Sequence, residues 1–199
     1  MSVKNILCTM LALGLSVSAA YAEPSVKRSG SSITVKEALT DEGLSQAKEI
    51  AGSIKMPEFK LEGIKDADLA KFCQAFPNAT RLSVKGGLTN IAPVAGLKDL
   101  TYFELEANKV TDMSPLANLT KLTRISLKSI MINECQVTNF EALASCTELT
   151  SFEMKKTAGV TSLAPLKSLP NLKRVVVSKG AFPEAELGGF AQTVKVEQR

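Results

Sequence analysis

From residue 56 onward the apolar positions follow two alternating rhythms, short runs of period two and longer stretches with apolar residues three apart. The segments LTYFEL (100–105), LTRISL (122–127), LTSFEM (149–154) and LKRVVV (172–177) share the form L-x-x-Φ-x-Φ, where Φ is apolar. The same frame reaches back to ATRLSV (79–84) and, more loosely, to MPEFKL (56–61). Measured on its fourth position, the register runs Phe59, Leu82, Phe103, Ile125, Phe152, Val175, with steps of 23, 21, 22, 27 and 23. Three further columns take the last three steps, 22, 27 and 23: Ile91, Met113, Phe140, Leu163; then Val94, Leu116, Leu143, Leu166; then Leu97, Leu119, Cys146, Leu169. A repeated irregular step of 27 marks these columns as one repeat.

Each unit reads physically as a strand followed by a return. Φ-x-Φ has period two, so Phe103 and Leu105 face one side while Tyr102, Glu104 and Glu106 face the other. The return carries apolar residues at i, i+3 and i+6, and Pro115 limits regular α-helix before it, which suits a tight 3₁₀-like segment. One unit cannot bury its apolar face alone, so neighbours must stack and pair their strands into a curved parallel sheet.

The motifs IAPV (91–94), MSPLANL (113–119) and LAPLKSL (163–169) resemble the leucine-rich repeats of the bacterial internalin type. The resemblance covers residues 56–178. It implies an α/β solenoid, a horseshoe with short parallel strands on the concave face, 3₁₀ or irregular convex segments and a helical N-terminal cap. It also implies recognition of another protein, a host or cell-surface molecule. The family's turn Asn appears as Asn108, but its counterparts are Gly86, Cys135 and Ala158, so looser turns are expected than in a continuous Asn ladder.

Outside the repeats, residues 1–22 read as a signal peptide. Lys4 precedes the apolar run Ile6 to Val17, and AYA (20–22) offers small residues for cleavage after Ala22. The expected compartment is the periplasm or beyond. Residues 23–34, with Ser, Gly and charges, read as a flexible arm, and 35–55 as a helical N-terminal cap with apolar spacing at Leu39, Leu44, Ala47, Ile50 and Ala51. A second helix is expected from Asp66 to Ala75, with Leu69, Phe72 and Phe76 inward. Residues 56–178 hold five to six repeats. The repeat is lost from Ala181, leaving 179–199 as a C-terminal cap in which Phe182, Leu187, Phe190, Val194 and Val196 cover the last coil.

Composition narrows the function. The chain has no His, which removes the commonest general base and metal ligand, and no catalytic constellation, cofactor motif or metal-ligand set is visible. Asp66 and Asp68 suit a helix start, and Gly86-Gly87 lacks the surroundings of a phosphate loop. A formal net charge of +4 from 24 basic and 20 acidic residues is too small to suggest nucleic-acid binding, and no second apolar run is long enough to span a membrane. Cys73, Cys135 and Cys146 follow the leader; Cys146 reads either as a buried apolar thiol or as the partner of Cys135 in a disulfide within one repeat.

Binding candidates come from residues between the inward strand positions. They form three rows: Arg81, Tyr102, Arg124, Ser151, Arg174; then Ser83, Glu104, Ser126, Glu153, Val176; then Lys85, Glu106, Lys128, Lys155, Ser178. Arg and Tyr are the types enriched at interface hot spots. The five extra residues of the long repeat must bulge from the rim over 129–136, carrying Ile130, Met131 and Ile132 either as a contact loop or folded back over the neighbouring coils. The expected function is therefore a non-catalytic, secreted or periplasmic protein-binding module using the concave face. The alternatives are a structural cell-envelope component and, less well supported with one Tyr and no Trp after the leader, a glycan-binding protein.

Overall fold

A computed structural model describes residues 26–37, 39–106, 109–128, 140–155 and 162–199. Its frame is a nine-stranded sheet whose strands lie in chain order. They are β1 (Val26–Ser29), β2 (Ser32–Lys36), β3 (Glu58–Glu62), β4 (Arg81–Lys85), β5 (Tyr102–Glu106), β6 (Arg124–Lys128), β7 (Ser151–Lys155), β8 (Arg174–Val177) and β9 (Lys195–Gln198). β1 and β2 form an antiparallel hairpin; every later neighbour pairs parallel.

The pairing follows the sequence columns. Phe59 lies opposite Leu82, then Phe103, Ile125, Phe152 and Val175 in successive strands. All six are buried, as are Val94, Leu116, Leu143 and Leu166 of the returns. Three returns are 3₁₀ turns as the spacing predicts, Ala92–Gly96, Ser114–Asn118 and Glu141–Ser145, and the fourth, Ala164–Lys167 (α3), is a single α turn. The coil that begins with β3 returns through a full helix, α2 (Asp66–Ala75), whose Phe72 and Phe76 pack on Phe59 at ring separations of 5.0 and 4.5 Å.

Threonines tie the strand entrances together. Thr101, Thr123 and Thr150 each direct both the backbone N–H and the side-chain hydroxyl to the carbonyl of the threonine one coil back, Thr80, Thr101 and Thr123, with hydroxyl distances of 3.0, 2.9 and 3.0 Å. At the other strand end, a Cβ on Gly86 would sit 2.9 Å from the Ile64 carbonyl oxygen and 3.2 Å from its nitrogen. Glycine therefore stands in the turn column here because the preceding coil's backbone fills the space a side chain needs. Asn108, Cys135 and Ala158 lie outside the described residues.

The N-terminal cap differs from expectation. The stretch read as a flexible arm forms the hairpin from Val26 onward: Gly30, at φ 59°, turns the chain, and Val26, Ile33 and Val35 are buried. A short terminal hairpin needs only a few inward apolar residues, so its composition resembled a linker. The N-terminal cap accordingly begins with a strand, and its helix α1 (Asp41–Gly52) starts six residues later than the periodicity suggested, where the Thr40 hydroxyl accepts from Gly43 N–H at 3.1 Å. Asp68 joins this cap to α2, accepting from Leu39 N–H and Lys65 N–H, each at 3.0 Å.

At the far end the strand register persists for one more coil. After the short helix α4 (Glu184–Leu187), β9 pairs with β8 and sets Val196 opposite Val175. Phe182 and Leu187 are buried, with Phe190, Val194 and Val196 packed partly against the core, as expected. Glu186 secures this cap by accepting from Leu163 N–H at 2.6 Å and Ser162 hydroxyl at 2.9 Å, with Lys167 Nζ 3.1 Å away.

Candidate interaction surface

Alternation along each strand places the non-core residues on one sheet face. The predicted first row is assembled side by side: Arg81 opposite Tyr102, Tyr102 opposite Arg124, Arg124 opposite Ser151, Ser151 opposite Arg174. The row extends to Ser32 and Glu58 at one end and to Lys195 at the other. The middle row runs through Ser83, Glu104, Ser126, Glu153 and Val176, and the third through Lys85, Glu106, Lys128 and Lys155.

Most of these charges neutralise one another. Arg81 lies over the Tyr102 ring, its guanidinium carbon 4.7 Å from the centroid, and reaches Glu58 at 3.7 Å. Glu104 is the hub: its carboxylate accepts from Tyr102 hydroxyl at 2.7 Å, from Ser83 hydroxyl at 3.2 Å and from Lys128. Burial alone would raise the Glu104 pKa, but the hydrogen bonds from Lys128, Tyr102 and Ser83 outweigh it and hold the carboxyl below its ordinary value. The Tyr102 hydroxyl moves the opposite way, raised by burial and then by donation to Glu104, so it remains a proton donor. Lys85 pairs with Glu106 at 3.1 Å and Lys155 with Glu153 at 2.5 Å.

Arg174 is claimed by Glu197, with Nε to Oε1 at 3.1 Å and Nη2 to Oε2 at 3.2 Å. Lys195 and Arg199 approach the same carboxylate. These donors, Arg174 first, pull the Glu197 carboxyl down to about 2. Glu58 and Glu197 were not among the predicted site residues. The looser MPEFKL frame contained the first, and the period-two pair Val194 and Val196 would have extended the rows to the second.

Arg124 differs from its neighbours. It is exposed and makes no ion pair or side-chain hydrogen bond among the described residues. Two residues along, Ser126 is 4% exposed, and its hydroxyl is the buried side-chain oxygen left without a partner among the described residues. Val176 is fully buried, so the middle row is closed at β8 rather than open along its length.

Two structures of known proteins share this coil-by-coil arrangement. An internalin (inlF) from Listeria monocytogenes strain 4b F2365 matches with a TM-score of 0.57 and 17% identity over 84% of this chain. An internalin C2 (inlC2) from the same strain matches with a TM-score of 0.53 and 21% identity, covering 83% of this chain and 78% of that one. The chain has the internalin leucine-rich-repeat fold. It spans about half the length of the inlF structure, 46%. No family model matches the sequence, and no curated protein matches it.

Within this internalin-type solenoid the two cysteines among the described residues are shielded. Cys73 and Cys146 are buried free thiols, raised by burial to about 12 and about 11, and Cys146 donates weakly to the Leu116 carbonyl at 3.4 Å. Cys135, the other member of the considered disulfide, and the rim residues Ile130, Met131 and Ile132 lie outside the described residues. So does the leader. Among the described residues no three His, Cys, Asp or Glu side chains gather as a metal site would require, and no helix is long and apolar enough to cross a membrane.

Proposed function

We propose that this chain is a non-catalytic protein-binding module, exported by a leader cleaved after Ala22 to the periplasm or beyond, that recognises another protein through its sheet face. The observation that carries the reading is the Arg81–Tyr102–Arg124–Ser151–Arg174 row, which sets three arginines and a tyrosine, the residue types enriched at interface hot spots, along neighbouring parallel strands. The absence of histidine from the whole sequence agrees with a role in binding rather than acid–base catalysis.

The ion pairs shape the test. Reversing charge at Arg81 or Arg174 would set two acids face to face with Glu58 or Glu197, so those positions are changed to Gln and only Arg124 to Glu. The whole chain and this triple variant, matched for melting temperature, are crosslinked in envelope and host-cell extracts and their captured proteins compared. Loss of specific partners from the variant is expected; an unchanged set overturns the assignment to this face.

A further inference from the structure

The charges on the sheet face form a nearly closed set with one opening. Its described acids, Glu58, Glu62, Glu104, Glu106, Glu153 and Glu197, each hold a basic side chain. Among the described residues, every base that β2 to β9 place on the face has an acid within reach except Arg124. The opening is also rich in unused donors. Ser151 lies directly opposite Arg124, about 4.8 Å away across the strands. Its hydroxyl makes no hydrogen bond among the described residues. The buried Ser126 hydroxyl lies on the same face two residues along. A half-buried donor without an acceptor is unfavourable, and the Ser151 hydroxyl beside the unpaired, exposed Arg124 guanidinium leaves both open to an acceptor from outside, whereas the Ser126 hydroxyl is buried.

We infer that Arg124, with Ser151 beside it, is the anchor for a single carboxylate, an Asp or Glu side chain on a partner protein's acidic segment laid across β5–β7. The inference rests on the sheet-face reading above and names the chemistry of its partner. A guanidinium grips a carboxylate through two parallel N–H···O bonds, and a free Arg124 does so without first breaking an internal pair. Arg81 and Arg174 would each have to release a glutamate. The same contrast disfavours a polyanion such as a polyphosphate or a sulfated glycan, which needs a run of unclaimed cations. Tyr102, stacked beneath Arg81 on the other flank of Arg124, supplies a fixed apolar wall for the residues around the acid.

The test selects a displayed library of random twelve-residue peptides on the whole chain and measures affinities of the winners. The proteins compared are wild type, Arg124→Gln, Arg124→Lys and Ser151→Trp, each checked by melting temperature; Ser151→Trp blocks the face whatever the ligand's charge. The inference expects winners enriched in Asp and Glu, bound at least ten-fold more weakly by Arg124→Gln, partly restored in Arg124→Lys, and lost with Ser151→Trp. Uncharged winners that ignore Arg124→Gln but are lost with Ser151→Trp overturn the carboxylate anchor and leave the sheet-face reading standing. Winners indifferent to both substitutions overturn both. Failure to enrich any peptide, or binding of inorganic polyphosphate as tight as that of the winners, overturns the carboxylate anchor.

Discussion

Arg174 and Glu197 meet as a forked pair across β8 and β9, with both nitrogen–oxygen distances between 3.1 and 3.2 Å. The pair joins the last repeat to the terminal strand. It makes the C-terminal cap an electrostatic as well as an apolar lid, and it removes Arg174 from the set of cations open to a partner.

That pairing makes the cap sensitive to acid. The folded Glu197 carboxyl titrates near 2 against an ordinary 4.5, so its contribution is fully present above pH 4.5 and is lost as pH falls toward 2. The melting temperature of wild type should therefore drop through this window more steeply than that of Glu197→Gln. The variant should melt lower at pH 7, and the two curves should converge near pH 2. Parallel curves across the window would contradict the prediction.

The threonine ladder should contribute measurably at each rung. Thr123→Val keeps the β-branched shape and removes only the hydroxyl that donates to the Thr101 carbonyl at 2.9 Å. An internal hydrogen bond of this kind is worth about 0.5–1.5 kcal/mol. For a chain of this size the melting temperature should fall by roughly 1–6 °C. Thr80→Val should have a smaller effect, because the ladder uses the Thr80 carbonyl, which the substitution retains.

Gly86→Ala should destabilise by about 1–3 kcal/mol, the usual range for forcing an atom into filled space. The obstructing atoms are the backbone oxygen and nitrogen of Ile64, which cannot swing aside as a side chain would. Gly87→Ala, with nothing within 4 Å of the added carbon, is the matched control and should leave the urea midpoint nearly unchanged.

Ser126→Ala should be neutral or stabilising in the free protein, unlike most changes to a buried polar residue. Its hydroxyl has no partner among the described residues, so the substitution removes an uncompensated buried group rather than a bond. Urea unfolding of the two proteins checks this; a loss above about 1 kcal/mol would reveal a hydrogen bond satisfied in solution.

The repeat was legible because its information is local and redundant. Several apolar columns shared the same irregular steps, and alternation assigned each strand residue to one side, so the Arg81-to-Arg174 row could be written down before any coil was stacked. The hairpin and β9 were harder to see. The edge strands β1 and β9 are each held by backbone bonds to one neighbour and need few apolar residues, and on β2 the two inward residues Ile33 and Val35 carried little signal within a Ser- and Gly-rich stretch.

By itself the sequence determined the stacking register, the inward columns and the order of residues along the sheet face. Tertiary structure decided which of those residues remain open. Whether an arginine is available depends on carboxylates delivered by neighbouring coils: Glu58 reaches Arg81 from one strand away, Glu197 reaches Arg174 from a strand beyond the recognised repeats, and Arg124 stands between Tyr102 and Ser151 with no acid opposite it. Periodicity records which face a side chain takes, whereas charge compensation acts across strands and over a few ångströms of side-chain reach, so only the folded sheet distinguishes Arg124 from its neighbours.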